Sequence, residues 1–118
     1  MAAKDAVGAY GERVAVRHLQ DAGLVVLHRN WRCRDGEIDV IAREGDTLVF
    51  CEVKTRRGTA YGTPAEAVVP AKLRRLRRLA LRWLDEAGLH PPDLRFDVVA
   101  VRPRSGGAAE VEHLRGVL

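Results

Sequence analysis

The chain has 118 residues, enough for one compact domain with a real core, and it is 47% hydrophobic and 31% charged, an ordinary globular balance that excludes disordered and fibrous classes. No apolar run is long enough to span a membrane as a helix, and the opening MAAKDAVGAYGERVA lacks the apolar centre of a secretory signal, so no membrane role and a cytoplasmic location are expected. The formal charge of +4 permits a polyanionic partner, while Cys33 and Cys51 lack metal-binding spacing and read as reduced core thiols rather than a disulfide.

Helical periodicity runs from about Ala3 to Ala22, closed by Gly23 as a C-cap. Gly8, Glu12, Ala15, Leu19 and Ala22 fall on one stripe, which sets the Glu12 carboxylate on or beside the inward face, where it needs a partner. The alternative is a Glu at the stripe edge reaching solvent. Leu24 to Leu27 reads as a short strand that His28 to Arg32 can continue. Trp31 beside it suits packing better than base stacking. Arg34-Asp35-Gly36 then turns the chain.

The stretch Gly36 to Arg56 is the centre of the sequence. Two strands with period-two alternation flank Gly45-Asp46, a two-residue hairpin loop that starts with Gly. Alternation puts Glu37, Asp39 and Ile41 on one face of the first strand. Leu48, Phe50, Glu52, Lys54 and Arg56 share a face of the second. With Glu44 and Thr47 flanking the loop, Ile41 faces Phe50, Asp39 faces Glu52 and Glu37 faces Lys54. Directly opposed Cβ atoms are about 4.5–5.5 Å apart, so two carboxylates held there destabilise the hairpin unless a cation sits between them.

Arg57 to Thr63 forms a loop with two glycines. Pro64, capped by Thr63, opens a second helix that runs to Ala87, is kinked or divided at Pro70 and stops at Gly88. Leu73, Leu76, Ala80, Leu84 and Ala87 give its core stripe. Arg74, Arg78 and Arg82 form a row at four-residue spacing, widened by Lys72, Arg75 and Arg77, and no acid intervenes before Asp85. Such a face repels itself unless it meets a polyanion, and nucleic acid is the favoured partner over a merely solvated surface. Leu94 to Val101 is a strand covered on both faces, Arg102 to Ala109 a loop, and Glu110 to Leu114 a short edge strand.

The residues that carry chemistry are Glu12, Asp39, Glu52 and Lys54. Asp39 and Glu52, with the Val53 carbonyl, offer hard oxygen ligands suited to Mg²⁺ or Mn²⁺, and Glu12 would complete the shell or bind a second ion. Lys54 would orient a water or stabilise charge on a phosphoryl transition state, and Arg56 would hold a substrate phosphate. Lys54 stands out because Lys4, Lys54 and Lys72 are the only lysines in a chain that otherwise uses arginine. The plain alternative is a hairpin of surface ion pairs. Against it, Ile41, Leu48 and Phe50 share the charged face, which a helix should cover.

Taken together these stretches resemble the bacterial YraN family, Holliday-junction-resolvase-like members of the PD-(D/E)XK restriction-endonuclease-like superfamily. The likeness runs through Gly11-Glu12 with Ala15 and Leu19, Asn30-Trp31-Arg32, and Gly36-Glu37-Ile38-Asp39-Val40-Ile41-Ala42. It continues in Phe50-Cys51-Glu52-Val53-Lys54-Thr55-Arg56, Gly62-Thr63-Pro64-Ala65-Glu66-Ala67-Val68, Lys72 and Arg95-Phe96-Asp97-Val98-Val99. It implies an α/β fold with a mixed central sheet flanked by helices, and a metal-dependent endonuclease site at Glu12, Asp39, Glu52 and Lys54. DNA is the expected substrate, with branched DNA one candidate; Arg56, Lys72, Arg74, Arg75, Arg78 and Arg82 are its expected contacts from their charge and placement, and resolvase-like folds admit a homodimer. The competing readings are a nucleic-acid-binding module that keeps the fold without cutting, and an interaction protein whose basic helix meets an acidic partner.

Overall fold

A computed structural model describes residues 6–56 and 70–117. In chain order the elements are α1 (Ala6–Asp21), β1 (Val25–Cys33), β2 (Gly36–Glu44), β3 (Thr47–Thr55), α2 (Pro70–Ala87), β4 (Asp93–Arg102) and β5 (Glu110–Leu114). The expected loop Arg57–Thr63, the Thr63 cap and the helix start at Pro64 lie outside the described residues. From Pro70 onward α2 is helical, with this proline in its first turn, where its missing N–H costs nothing.

The strands form one sheet in the order β1-β2-β3-β4-β5. All neighbours are antiparallel except β3 and β4, which run parallel. One side is covered by α1 and the other by α2, giving the mixed central sheet flanked by helices that the resemblance implied. Under α1 lie Ala15, Val16, Leu19, Val40, Ala42, Val49, Cys51, Val99 and Val101. Under α2 lie Trp31, Ile38, Ile41, Leu48, Phe50, Leu76, Leu79, Ala80, Leu84 and Phe96. Phe50 is fully buried, stacked on Phe96 at 5.6 Å between ring centroids and edge-on to Trp83 at 6.1 Å. Its burial alone contributes roughly 1.5–3 kcal/mol. The face of Ile41, Leu48 and Phe50 is thus covered by a helix, as expected, and Trp31 packs in the core beneath it.

The ends of the helices follow their sequence signals. Gly23 (φ +97°) and Gly88 (φ +68°) adopt the left-handed conformation, and the amides of Leu24 and Leu89 close back on the Leu19 and Leu84 carbonyls. The hairpin turn falls at Gly45-Asp46 with Glu44 paired to Thr47 and Ile41 to Phe50, the register read from the sequence. No helix among the described residues is long and apolar enough to cross a membrane.

The buried stripe of α1 is Gly11, Ala15, Val16 and Leu19, so Gly11 rather than Gly8 faces the sheet, and Ala22 is exposed. A Cβ at Gly11 would fall on the Thr55 side chain, whereas one at Gly8 would meet nothing. Gly11 therefore lets α1 press against the end of β3 and fixes the depth of its neighbour Glu12. Alanine ordinarily stabilises a helix over glycine by about 0.5–1 kcal/mol. Gly8→Ala is expected to show that gain. Gly11→Ala is expected to reverse it, with a loss of roughly 1–3 kcal/mol from overpacking against a stiff β-branched neighbour. Thermal unfolding of the two variants side by side checks the contrast.

Candidate active site

The β2–β3 ladder runs from Glu44–Thr47 to Val40–Cys51 and stops there. Beyond it, the Asp39 carboxylate takes the place of a backbone acceptor: the Val53 amide donates to Asp39 Oδ2 at 2.8 Å. On the other flank, β1 carries an extra residue between Val26 and His28, and Asn30 opposite Asp39 has φ +52°, alone in this among the described non-glycine residues. Asparagine tolerates that conformation better than most residues. These irregularities accompany a slip in the alternation of β2. Ile38 and Ile41 both pack under α2, while Val40 and Ala42 pack under α1. Asp39 consequently does not share the face of Ile41, as strict period two would have it, but turns to meet Glu12 of α1. Bulges of this kind commonly re-aim a side chain beside a site.

Glu12, Glu37 and Asp39 bring carboxylate oxygens within 4.8 Å of one another. Burial is the main cause that pushes the Asp39 carboxyl up to about 7; the charges of Glu12 and Glu37 add to it, and the Val53 amide works against it. The Glu12 carboxyl is raised as well, by burial first and by Glu37 next, against a hydrogen bond from Asn30. Glu37 does not pair with Lys54 across the hairpin; its ion pair is with Arg32 at 3.5 Å. Three carboxylates this close form a donor set of hard oxygens, and the chemistry fits a divalent cation of the Mg²⁺ or Mn²⁺ type.

Glu52 stands in a second group. Its Oε2 accepts from Lys54 Nζ at 3.1 Å and from Lys72 Nζ at 2.7 Å. Burial lowers the proton affinity of Lys54, and the Lys72 ammonium lowers it further, against the pull of Glu52. Glu37 and Asp39 of the first group and all of the second line one pocket of about 260 Å³, together with Val53 and Arg75, on an apolar floor of Ile38, Leu76 and Leu79; Glu12 is not among its lining residues. Gly36 (φ +148°) sits at its rim, where a Cβ would crowd Arg75 and Leu79.

Of the residues expected to contact nucleic acid, Lys72 and Arg75 thus line the pocket itself. Arg82 pairs with Asp35 and Glu86 at 3.3 and 3.4 Å, and Arg77 lies over the Phe96 ring at 5.9 Å. Arg74, Arg75 and Arg78 are exposed and make no ion pair among the described residues. Arg56 follows β3, its guanidinium on the Thr55 carbonyl. Sequence reasoning overlooked Asn30, which steadies Glu12. Its signal was an asparagine, tolerant of positive φ, in mid-strand.

The sequence also matches, over residues 11–101, the family model of UPF0102, described as an uncharacterised protein family. The chain belongs to UPF0102, the YraN family. It is 63% identical over 117 residues to a UPF0102 protein of Beutenbergia cavernae, covering 99% of both chains. With a relative in Kineococcus radiotolerans it shares 63% identity over 116 residues, 98% of this chain and 95% of that one. A third, in Frankia alni, is 58% identical over 116 residues, 98% and 97% of the two chains. The UPF0102 match spans α1 from Gly11, the whole hairpin and β4 to Val101, and so contains every side chain of the pocket.

Proposed function

We propose that this protein is a divalent-metal-dependent nuclease that hydrolyses phosphodiester bonds in DNA, with branched DNA the substrate class to try first. The observation that carries this reading is the one pocket that Glu37 and Asp39 share with the pair Glu52–Lys54, with the Glu12 carboxylate of α1 brought beside both acids. Asp39 and Glu52, with the Val53 carbonyl, would hold the cation, and Glu12 would complete its shell. The cation would supply charge stabilisation at the phosphoryl oxygens and a more acidic bound water. Lys54, on the same carboxylate oxygen as Lys72, would place a positive charge where the transition state gathers negative charge. The amide of Val53 keeps Asp39 aimed without consuming its second oxygen. Exposed Arg74, Arg75 and Arg78 beside the pocket would track the phosphate backbone, and Arg56 would hold a phosphate past the end of β3.

Cleavage of junction, flap, single-stranded and duplex DNA in Mg²⁺ or Mn²⁺ tests the reading. The wild type should cut at least one of them, and Asp39→Ala, Glu52→Ala and Lys54→Ala should each lose about two orders of magnitude or more in rate. Equal cutting by all four proteins would identify a contaminant. The exposed face of Arg74, Arg75 and Arg78 also supports a plainer role, binding without cutting. That role predicts salt-sensitive DNA affinity dependent on Arg74 and Arg78, with no cleavage by any of the proteins.

A further inference from the structure

Spacing makes Lys72 one of many cations on α2, but its side chain does not join that surface. It reaches into the pocket, and its ammonium lies 2.7 Å from Glu52 Oε2. Lys54 meets the same oxygen at 3.1 Å. Lys4 lies outside the described residues, so both described lysines of an arginine-rich chain converge on one carboxylate oxygen. Two positive charges there outweigh the single negative one, while the same pocket is also lined by Glu37 and Asp39, whose carboxylates lie beside that of Glu12. A pocket of about 260 Å³ thus holds the carboxylates of Glu37 and Asp39 together with a surplus of ammonium around Glu52.

Resting on the metal-dependent reading above, we propose that Lys72 is a displaceable counter-ion of Glu52: it neutralises that carboxylate until a divalent cation takes it, and is then released towards a substrate phosphate. The ammonium occupies the approach to Oε2 that a cation bonded at about 2.0–2.1 Å would need, so the two compete for one ligand. Lys54 lies two residues from Glu52 on the same strand and stays beside it in either state. Lys72 comes from the first turn of α2 on a flexible four-carbon stem, with three donors that suit a phosphate as well as a carboxylate. Once displaced, it leaves a free ammonium in the pocket. Cation and phosphodiester would then assist each other's binding through this residue, and by the same factor in either order.

The test is Mn²⁺ affinity, measured by titration calorimetry at low ionic strength on the full chain without nucleic acid. Lys72→Met should bind Mn²⁺ roughly three- to thirtyfold more tightly than wild type, because both a competitor and a nearby like charge are gone. Lys72→Gln, a second neutral variant, should do the same, and Lys72→Arg should remain near wild type. In a Glu52→Gln background the Lys72→Met gain should shrink to the small part owed to the lost charge, an outcome that a merely structural lysine would not produce. Circular dichroism on each protein establishes folding, and either neutral variant suffices. Unchanged or weaker Mn²⁺ binding by the folded neutral variant overturns the proposal. So does a gain that is undiminished without the Glu52 carboxylate, or a wild type that takes no Mn²⁺. Tighter binding by Lys72→Met, with no DNA substrate cut by wild type, would uphold the counter-ion and reject the nuclease.

Discussion

Asp97→Ala is expected to cost about 3–5 kcal/mol of folding stability, the penalty of stripping one partner from a buried charged network. Asp97 is fully buried under α1, yet none of its capacity is wasted. Its Oδ1 accepts from Arg95 Nε at 3.0 Å and from the Gly116 amide at 2.9 Å. Its Oδ2 meets Arg95 Nη2 at 3.0 Å and His113 Nε2 at 2.7 Å. Arg95 reaches on to Glu44 at 2.7 Å. One carboxylate therefore ties the edge strand β5 and the residues after it to the centre of the sheet, and joins them to the hairpin turn. Alanine would leave a guanidinium, an imidazole and an amide facing a cavity.

For a domain of this size the loss corresponds to a fall in melting temperature of about 10–25 °C. Hydrogen exchange should locate the damage first at residues 110–117. Burial pushes the Asp97 carboxyl up, but the bonds from His113, Arg95 and Gly116 outweigh it and hold it below its ordinary value. Its contribution is accordingly complete above the unfolded value near 3.9 and is lost as pH falls through the lower folded one. Urea titrations between about pH 2 and 6 should show a shallower acid limb for Asp97→Asn than for wild type.

Asp39 titrates in the opposite sense. Its folded value near 7 lies above its ordinary one, so the folded protein binds the extra proton. Stability of the cation-free protein should decline as pH rises from about 4 to 7 and level off above. Asp39→Asn removes the charge and can retain an acceptor for the Val53 amide. In chelator at pH 8 the substitution is expected to stabilise by about 1–3 kcal/mol, shrinking towards zero near pH 4. Millimolar Mn²⁺ should stabilise wild type at pH 8 by an amount that grows with the logarithm of its concentration, and should not stabilise Asp39→Asn. Differential scanning calorimetry across the pH series measures both effects. A wild type indifferent to Mn²⁺ and to pH over that range would mean that burial and its acidic neighbours do not hold Asp39 above its ordinary value.

Much of this could be read before the structure, for local reasons. Gly45-Asp46 and the alternation around it set the hairpin register, because a two-residue loop leaves little choice once apolar residues must face inward. Gly23 and Gly88 end their helices through their own backbone freedom. What could not be read depends on partners distant in sequence. Asp39 leaves the face of Ile41 in company with an irregularity on the neighbouring strand, at Asn30, and period two carries no trace of that. Lys72 looked like one more helix cation because its partner, Glu52, lies on a strand twenty residues earlier. Arg82 has a helical partner in Glu86 four residues on, but its second partner, Asp35 in the turn before β2, could not be read from the helix. Asp97 stood as a single acid in an apolar strand. That signal alone asked for partners, but could not say that they come from β5 and the turn after it.

The central claim is that the carboxylates around Asp39 form a cation site that serves phosphodiester hydrolysis. Anomalous diffraction from crystals soaked in Mn²⁺ tests it most directly. The expected result is a peak bonded to Asp39 and Glu52, with Lys72 withdrawn from Glu52. A map without a peak there, with Asp39 and Glu52 facing apart, would contradict it.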